Sequence, residues 1–277
     1  MTNVIVPPVI PIVLLLERPI LHWKTLMPLK NNEMLQKIPH SSFTGQGPIR
    51  MLYPGLQLSN ADSGIGSIGR IDHANFRGTH LIPMHPHVND EILSYFKTGQ
   101  VGHTDSEQFK ATIGGQRLML MKAGKMFFHE ENIDGRSEPF EGLQIFIRPG
   151  GKDLKPAVLI QDLEEVNSLN TWRLIASPTS QTALQFSSQT WIFDVRLSDG
   201  MTIGLPELPH KELTALLYVY NGEVNIGQKL SLQKMDSLLF RNEDISINAL
   251  RDTDLVLFFT DENASIFKDG MYSGNKV

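Results

Sequence analysis

The sequence predicts an all-β protein whose two halves form similar barrels. From about Ile49 onward, short apolar segments rich in Val, Ile, Leu and Phe alternate with turn residues. No segment shows sustained helical periodicity, so βαβ units are not indicated. This spacing is typical of an all-β sandwich or barrel. The clearest turns are Tyr53-Pro54-Gly55, Gly114-Gly115, Ser198-Asp199-Gly200 and Asn221-Gly222.

The halves of the chain resemble one another, which suggests a duplicated domain. Residues 92–101 and 215–224 each contain an apolar strand, a polar turn with glycine and a β-branched restart. A repeat this long is not that of a solenoid. We therefore expect an N-terminal arm over residues 1–48, a first domain over 49–155 and a second over 156–277.

Composition limits the partners that the protein can have. The 277 residues carry a formal net charge of -5, and no stripe of basic residues is present. Direct binding to nucleic acid or to an anionic membrane is therefore not expected. The absence of cysteine excludes disulfides and thiolate ligands and fits a reducing cytoplasm.

The apolar run 4–16 is interrupted by prolines and is too short to span a bilayer, so we expect a poorly anchored arm there.

Two pairs of residues with the same spacing carry the main chemical signal. His85 and His87 form an H-x-H pair, and His129 and Glu131 form an H-x-E pair. In an extended strand, residues i and i+2 project from the same face. If the two strands face one another across a barrel, three imidazoles and one carboxylate converge.

This donor set suits one divalent metal ion. Imidazole and carboxylate ligands accommodate Fe(II), Mn, Co, Ni, Cu or Zn. Four protein ligands leave open positions on a five- or six-coordinate ion, as a catalytic site requires. The alternative is that these are ordinary loop or surface histidines.

Two further sequence features, Glu91 and the segment 103–105, contain residues that could act at a metal site or serve only a turn. Glu91 lies four residues after His87, so on an unbroken strand it shares the ligand face. It is then a further ligand or a general base, and otherwise a solvated turn carboxylate. His103-Thr104-Asp105 follows a predicted hairpin turn, and we expect it to serve that turn.

The motifs around these residues resemble known families. The set Gly78, His85-Pro86-His87, Glu91 and Gly99 resembles the first cupin motif. The H-P-H triplet, followed by the segment 123–131 and by Gly142-Leu143-Gln144, resembles the pirin family of two-domain cupins. Departures at Val88, Asn89, Asp90 and Met126 leave the ligands unchanged and alter the surrounding rim.

The resemblance implies a fold, a metal site and three candidate functions. It implies a bicupin, two double-stranded β-helix (jelly-roll) barrels packed face to face, with no metal ligands in the second, where His210 is the only histidine. It places the ligands, most simply of Fe(II), on His85, His87, His129 and Glu131, and catalytic carboxylates on Glu91 and Glu131. The function implied is a dioxygenase of the quercetin 2,3-dioxygenase type acting on a small aromatic substrate. A redox-sensing regulator that binds a protein partner, or an inactive cupin, stays open.

Overall fold

The computed structural model describes residues 34–208, 212–227 and 230–275. Within these ranges, strands dominate and two short 3-10 helices, His40–Ser42 and Pro54–Gln57, are present. In the same part of the chain, no helix has the length and hydropathy needed to cross a membrane. The apolar run 4–16 and His210 lie outside the described residues.

The first half of the chain forms a closed sheet dominated by two long strands, β3 and β8. Its strands are β2 Ile49–Leu52, β3 Ile68–His87, β4 Glu91–Thr98, β5 Gln100–Asp105, β6 Lys110–Gly114, β7 Arg117–Lys122, β8 Phe127–Ile147 and β9 Ala157–Asp162. They pair in the order β2-β3-β8-β4-β7-β6-β5, with β9 on β7, and β5 pairs with β8 again, which closes the barrel. The strand that precedes them, β1 Met34–Ile38, pairs in the second half.

The second half forms a two-sheet barrel. A larger sheet has the order β1-β17-β14-β19-β12-β10-β11, and a smaller one the order β13-β18-β15-β16. Its strands are β10 Arg173–Ser177, β11 Leu184–Gln185, β12 Thr190–Leu197, β13 Thr202–Ile203, β14 Thr214–Asn221, β15 Glu223–Ile226, β16 Leu230–Gln233, β17 Ser237–Arg241, β18 Ile247–Ala249 and β19 Thr253–Thr260.

A single apolar core joins the two barrels. Buried side chains of β3, β4, β7 and β8 pack against side chains of β10, β12, β14 and β19 in one cluster, which includes Leu93, Ile145, Leu216 and Phe258. Burial of this much apolar surface is the main force that holds the faces together. The predicted all-β class and the two barrels packed face to face are confirmed.

The chain crosses between the halves at three places. β1, within the predicted arm 1–48, pairs with β17 of the second half. β9, which follows the predicted boundary at 155, pairs with β7 of the first half. Residues after β19 return to the first half, where Met271 donates its backbone N–H to Val88. The domain boundaries themselves stay a prediction.

Candidate metal centre

Three histidines converge at the end of β3 and the start of β8. These strands are antiparallel neighbours, and His85 lies directly opposite His129 in their register. The Nε2 atom of His87 lies 3.1 Å from Nε2 of His85 and 2.9 Å from Nε2 of His129. His87 and His129 are buried and His85 is half-buried. The predicted convergence of the H-x-H pair with His129 is therefore present.

The geometry of this group fits a metal ion. Imidazole nitrogens that bind a first-row ion at about 2.0–2.1 Å and at right angles lie about 3 Å apart. The two Nε2–Nε2 distances, 3.1 and 2.9 Å, match that spacing. Burial, together with the neighbouring imidazoles, lowers the pKa of His129 to about 2. The Nε2 atom of His129 is consequently a neutral donor, and a cation would stabilise its crowded lone pair.

Hydrogen bonds on the far side of the rings orient the candidate ligands. His85 donates from Nδ1 to the backbone carbonyl of Pro83 at 2.9 Å, which leaves its Nε2 lone pair free. Metal-binding histidines are commonly held in this way, because a bonded second nitrogen fixes the tautomer.

His103 holds His129 from behind. The two Nδ1 atoms are 3.2 Å apart. If His129 binds metal through Nε2, its Nδ1 carries the proton and donates it to Nδ1 of His103. The proton of His103 then lies on its Nε2, which faces Asp105 Oδ2 at 3.6 Å. Both of those facing atoms are buried without another hydrogen-bond partner. His103 is thus a supporting residue of the site.

The expectation that His103-Thr104-Asp105 serves only a turn is half wrong. Asp105 does accept the backbone N–H groups of Glu107 and Phe109. His103, however, lies on the inward face of β5 and is buried. The i, i+2 rule already used for the other pairs would have placed His103 and Asp105 on one inward face.

Glu131 is buried beside the three histidines without joining their group. The ligand atoms of His85, His87 and His129 lie within 4.8 Å of one another, and Glu131 is not a member of that set. Its Oε1 accepts a 2.7 Å hydrogen bond from Gln144. Burial raises the pKa of Glu131 to about 7. Its role as a fourth ligand stays a prediction.

Proton release tests that prediction. Because the pKa of Glu131 is about 7, its carboxyl group is protonated at pH 6 and ionised at pH 8. Metal ligation requires the ionised form, so binding at pH 6 should release about one proton and binding at pH 8 none. Calorimetry in buffers of different ionisation enthalpy measures this. Glu131→Gln should abolish the difference between the two pH values, and an unchanged difference would exclude Glu131 as a ligand.

The structure corrects the premise on which Glu91 was placed at the ligand face. β3 ends at His87 and β4 begins at Glu91, and Asn89 between them has φ 53, a left-handed conformation that breaks the strand. Glu91 instead pairs with Lys122 at 3.4 Å and accepts the backbone N–H of Ser187 in the second half. It is buried, so the alternative of a solvated turn carboxylate is also wrong.

Comparison with known proteins agrees with this architecture. The family model described as Pirin matches residues 57–147. The chain contains a pirin domain. The resemblance predicted from the motifs is thereby confirmed, and the matched residues include the three histidines and Glu131.

Relatives of the pirin domain include proteins named as dioxygenases. A Zymomonas mobilis protein named "Putative quercetin 2,3-dioxygenase" is 27% identical over 64% of this chain and 75% of its own length. A quercetin 2,3-dioxygenase of Escherichia coli O157:H7 is 27% identical over 63% of this chain and 74% of its own length.

A solved structure shows the same fold. The bacterial pirin YhhW from Escherichia coli, in complex with nickel(II), superposes with a TM-score of 0.70 at 20% identity. The match covers 82% of this chain and 99% of that one. The second barrel of this chain is therefore part of the shared architecture.

Proposed function

We propose that this protein is a metal-dependent dioxygenase acting on a flavonol-like or catecholic substrate, with Fe(II) as the first candidate ion. The observation that carries the proposal is the convergence of three imidazole Nε2 atoms, which belong to two buried histidines and one half-buried histidine. Three histidines leave coordination positions for a substrate and, where Glu131 joins them, still leave one or two. Zn, Mn, Ni, Co or Cu would also suit these donors. The names of the relatives supply the substrate class.

The protein groups divide the chemistry between them. A divalent ion at the site would lower the pKa of a bound substrate hydroxyl and orient the substrate toward dioxygen. Glu131 would accept the hydroxyl proton, because a pKa of about 7 suits a general base near neutral pH. Glu91 is less suited, since its carboxylate is occupied by Lys122 and Ser187.

The space around the site limits how such a substrate would bind. The cavity beside Glu131 and Gln144 has a volume of about 30 Å³ and is lined by apolar side chains such as Phe76, Phe96 and Phe140. That volume holds about one water molecule, whereas ligand pockets usually exceed about 300 Å³. The aromatic rings would therefore lie on the side of the half-buried His85, with only the hydroxyl oxygen reaching the ion.

Turnover under oxygen tests the proposal. Protein loaded with Fe(II) should consume quercetin and dioxygen in equal amounts without releasing hydrogen peroxide, since a dioxygenase incorporates both oxygen atoms. Glu131→Gln at full metal loading should lower kcat by about 100-fold or more, while Glu91→Gln, measured under the same loading, should stay within about twofold of wild type. Absence of turnover by a fully loaded protein would overturn the proposal, and a loss in Glu91→Gln alone would reassign the base.

The small cavity favours a second candidate, an iron-dependent redox-sensing regulator that binds a protein partner. A regulator needs a metal site and no substrate pocket, and the cavity beside Glu131, at about 30 Å³, is too small for an aromatic substrate. Partner affinity that changes when the iron is oxidised, in protein that leaves quercetin intact, would favour this candidate. Partner affinity independent of the iron state would exclude it.

A further inference from the structure

The C-terminal tail, defined here as residues 270–275, lies against the candidate metal ligand His87. The ring of Tyr272 packs on the imidazole of His87 with centroids 4.8 Å apart, and stacks on Phe146 at 5.3 Å. The guanidinium of Arg70 lies 5.3 Å from the centre of the same Tyr272 ring. Tyr272 is thus held between a cation and two rings, an arrangement that fixes its orientation.

The tail also holds the carboxylate that faces His87. Asp90 is buried and lies 3.7 Å, through Oδ2, from the Nδ1 atom of His87. Its oxygens accept the backbone N–H groups of Tyr272 at 3.0 Å and of Ser273 at 2.8 Å. The Nδ1 atom of His87 has no hydrogen-bond partner. When Nε2 binds metal, that Nδ1 carries the proton, and Asp90 is the carboxylate placed to receive it.

The backbone of the tail packs tightly against the residues that surround it. A Cβ atom on Gly270 would lie 2.4 Å from the backbone oxygen of Asn89, and one on Gly69 would lie 2.3 Å from the backbone oxygen of Ser273. Arg148, which is almost fully buried, donates from Nε to the Ser273 carbonyl at 3.2 Å. The tail is therefore fixed from both sides rather than resting on the surface.

We propose that the C-terminal tail is a positioning element for His87, acting through the Tyr272 ring and through Asp90. The second half of the chain thereby contributes to a metal site whose ligands all lie in the first half. Coupling between two sites is reciprocal. If the docked tail raises the affinity for metal, bound metal must stabilise the docked tail by the same amount. This inference rests on the metal site of the proposed function and not on the reaction.

Metal affinity and amide exchange of the full chain test the proposal, with Co²⁺ as the probe because its absorption bands report ligand geometry. Tyr272→Ala should weaken Co²⁺ binding by about 10- to 100-fold and shift the bands, as expected for loss of a partner behind a ligand. Tyr272→Phe keeps the ring and should stay within about twofold of wild type. In wild type, Co²⁺ should slow exchange of the Tyr272 and Ser273 amides.

Lys268→Ala, two residues before the tail, is the matched control. Lys268 is exposed and pairs with Asp62 at 3.1 Å, away from His87, so its removal should leave Co²⁺ affinity and spectrum unchanged. Folded Tyr272→Ala that binds Co²⁺ like wild type, or tail amides that exchange equally fast with and without Co²⁺, would overturn the proposal. A chain that fails to convert quercetin while Tyr272→Ala still weakens Co²⁺ binding would refute the dioxygenase alone.

Discussion

Replacing His129 by alanine should lower the affinity for a divalent ion by more than about 100-fold. Groups behind a metal ligand are already worth about 10- to 100-fold, and loss of a ligand must cost more. The Nε2 atom of His129 also lies 2.9 Å from Nε2 of His87, the histidine that is close to both of the others. The measurement is competition for Co²⁺ or Fe(II) against a chromophoric chelator.

The same substitution should abolish stabilisation by metal. At a free-ion concentration of about 100 times the wild-type Kd, bound metal adds about 2.7 kcal/mol to the free energy of unfolding. A Kd raised by about 100-fold leaves only about 0.4 kcal/mol at that concentration. His80→Ala is the matched control, because His80 is an exposed histidine of β3 outside the group. A metal-induced shift of equal size in His129→Ala would show that the ion binds elsewhere.

The sequence predicts the candidate ligand pairs because the geometry within each pair is local. The alternation of a strand brings His85 and His87 to one face, and it does the same for His129 and Glu131. The opposition of His85 and His129 depends instead on the register of β3 and β8, which shifts between Ile82 and His85. A bulge of this kind inserts a residue without any periodic signal in the sequence. The sequence therefore predicts that the two pairs converge only if their strands face one another.

Glu91 shows where a local rule fails. Its assignment to the ligand face required four residues of continuous strand after His87. Asn89 adopts a positive φ, which asparagine tolerates better than most residues, so the strand that ends at His87 cannot continue to Glu91. Asp90, one of the departures from the family pattern, then lies next to His87 as a buried carboxylate.

The contribution of Tyr272 was beyond any local pattern. It lies in the last few residues of the chain, and its partners His87, Asp90 and Phe146 are in the first half. Only the path of the chain after β19 brings them together. The resemblance predicts no metal ligands in the second half, and the fold shows that this half nevertheless contacts the site.

The largest effect on stability should follow from replacing Asp194 by alanine. Asp194 is buried on β12 and accepts a hydrogen bond from Tyr95 at 2.9 Å and one from Arg173 at 2.7 Å. Lys97 lies 3.6 Å away with a side chain only 9% exposed. Tyr95 and Lys97 belong to the first half and Arg173 to the second, so one carboxylate neutralises charges at the junction of the barrels.

Removal of that carboxylate leaves two cations without their ion-pair partner and one hydroxyl without its acceptor, while Lys97 and Arg173 keep hydrogen bonds to neutral oxygens of residues 165–167. Breaking a buried ion pair from one side costs about 3–5 kcal/mol, because the remaining charge stays desolvated. We expect Asp194→Ala to lower the free energy of unfolding by about 3–5 kcal/mol. Denaturant titration measures this loss as a lower midpoint with an unchanged m-value. Asp194→Asn keeps an acceptor for Tyr95 and should lose less.

Asp162→Ala is the control for an ion pair of the same geometry in a different environment. Arg117 and Asp162 form a two-point contact at 2.6 and 3.1 Å on the exposed edge where β7 meets β9. Water replaces the lost partner there, so the denaturation midpoint should not move. Equal midpoints for Asp194→Ala and Asp162→Ala would mean that the Asp194 cluster exchanges its contacts for water at little cost. The junction of the barrels would then be held by the apolar core alone.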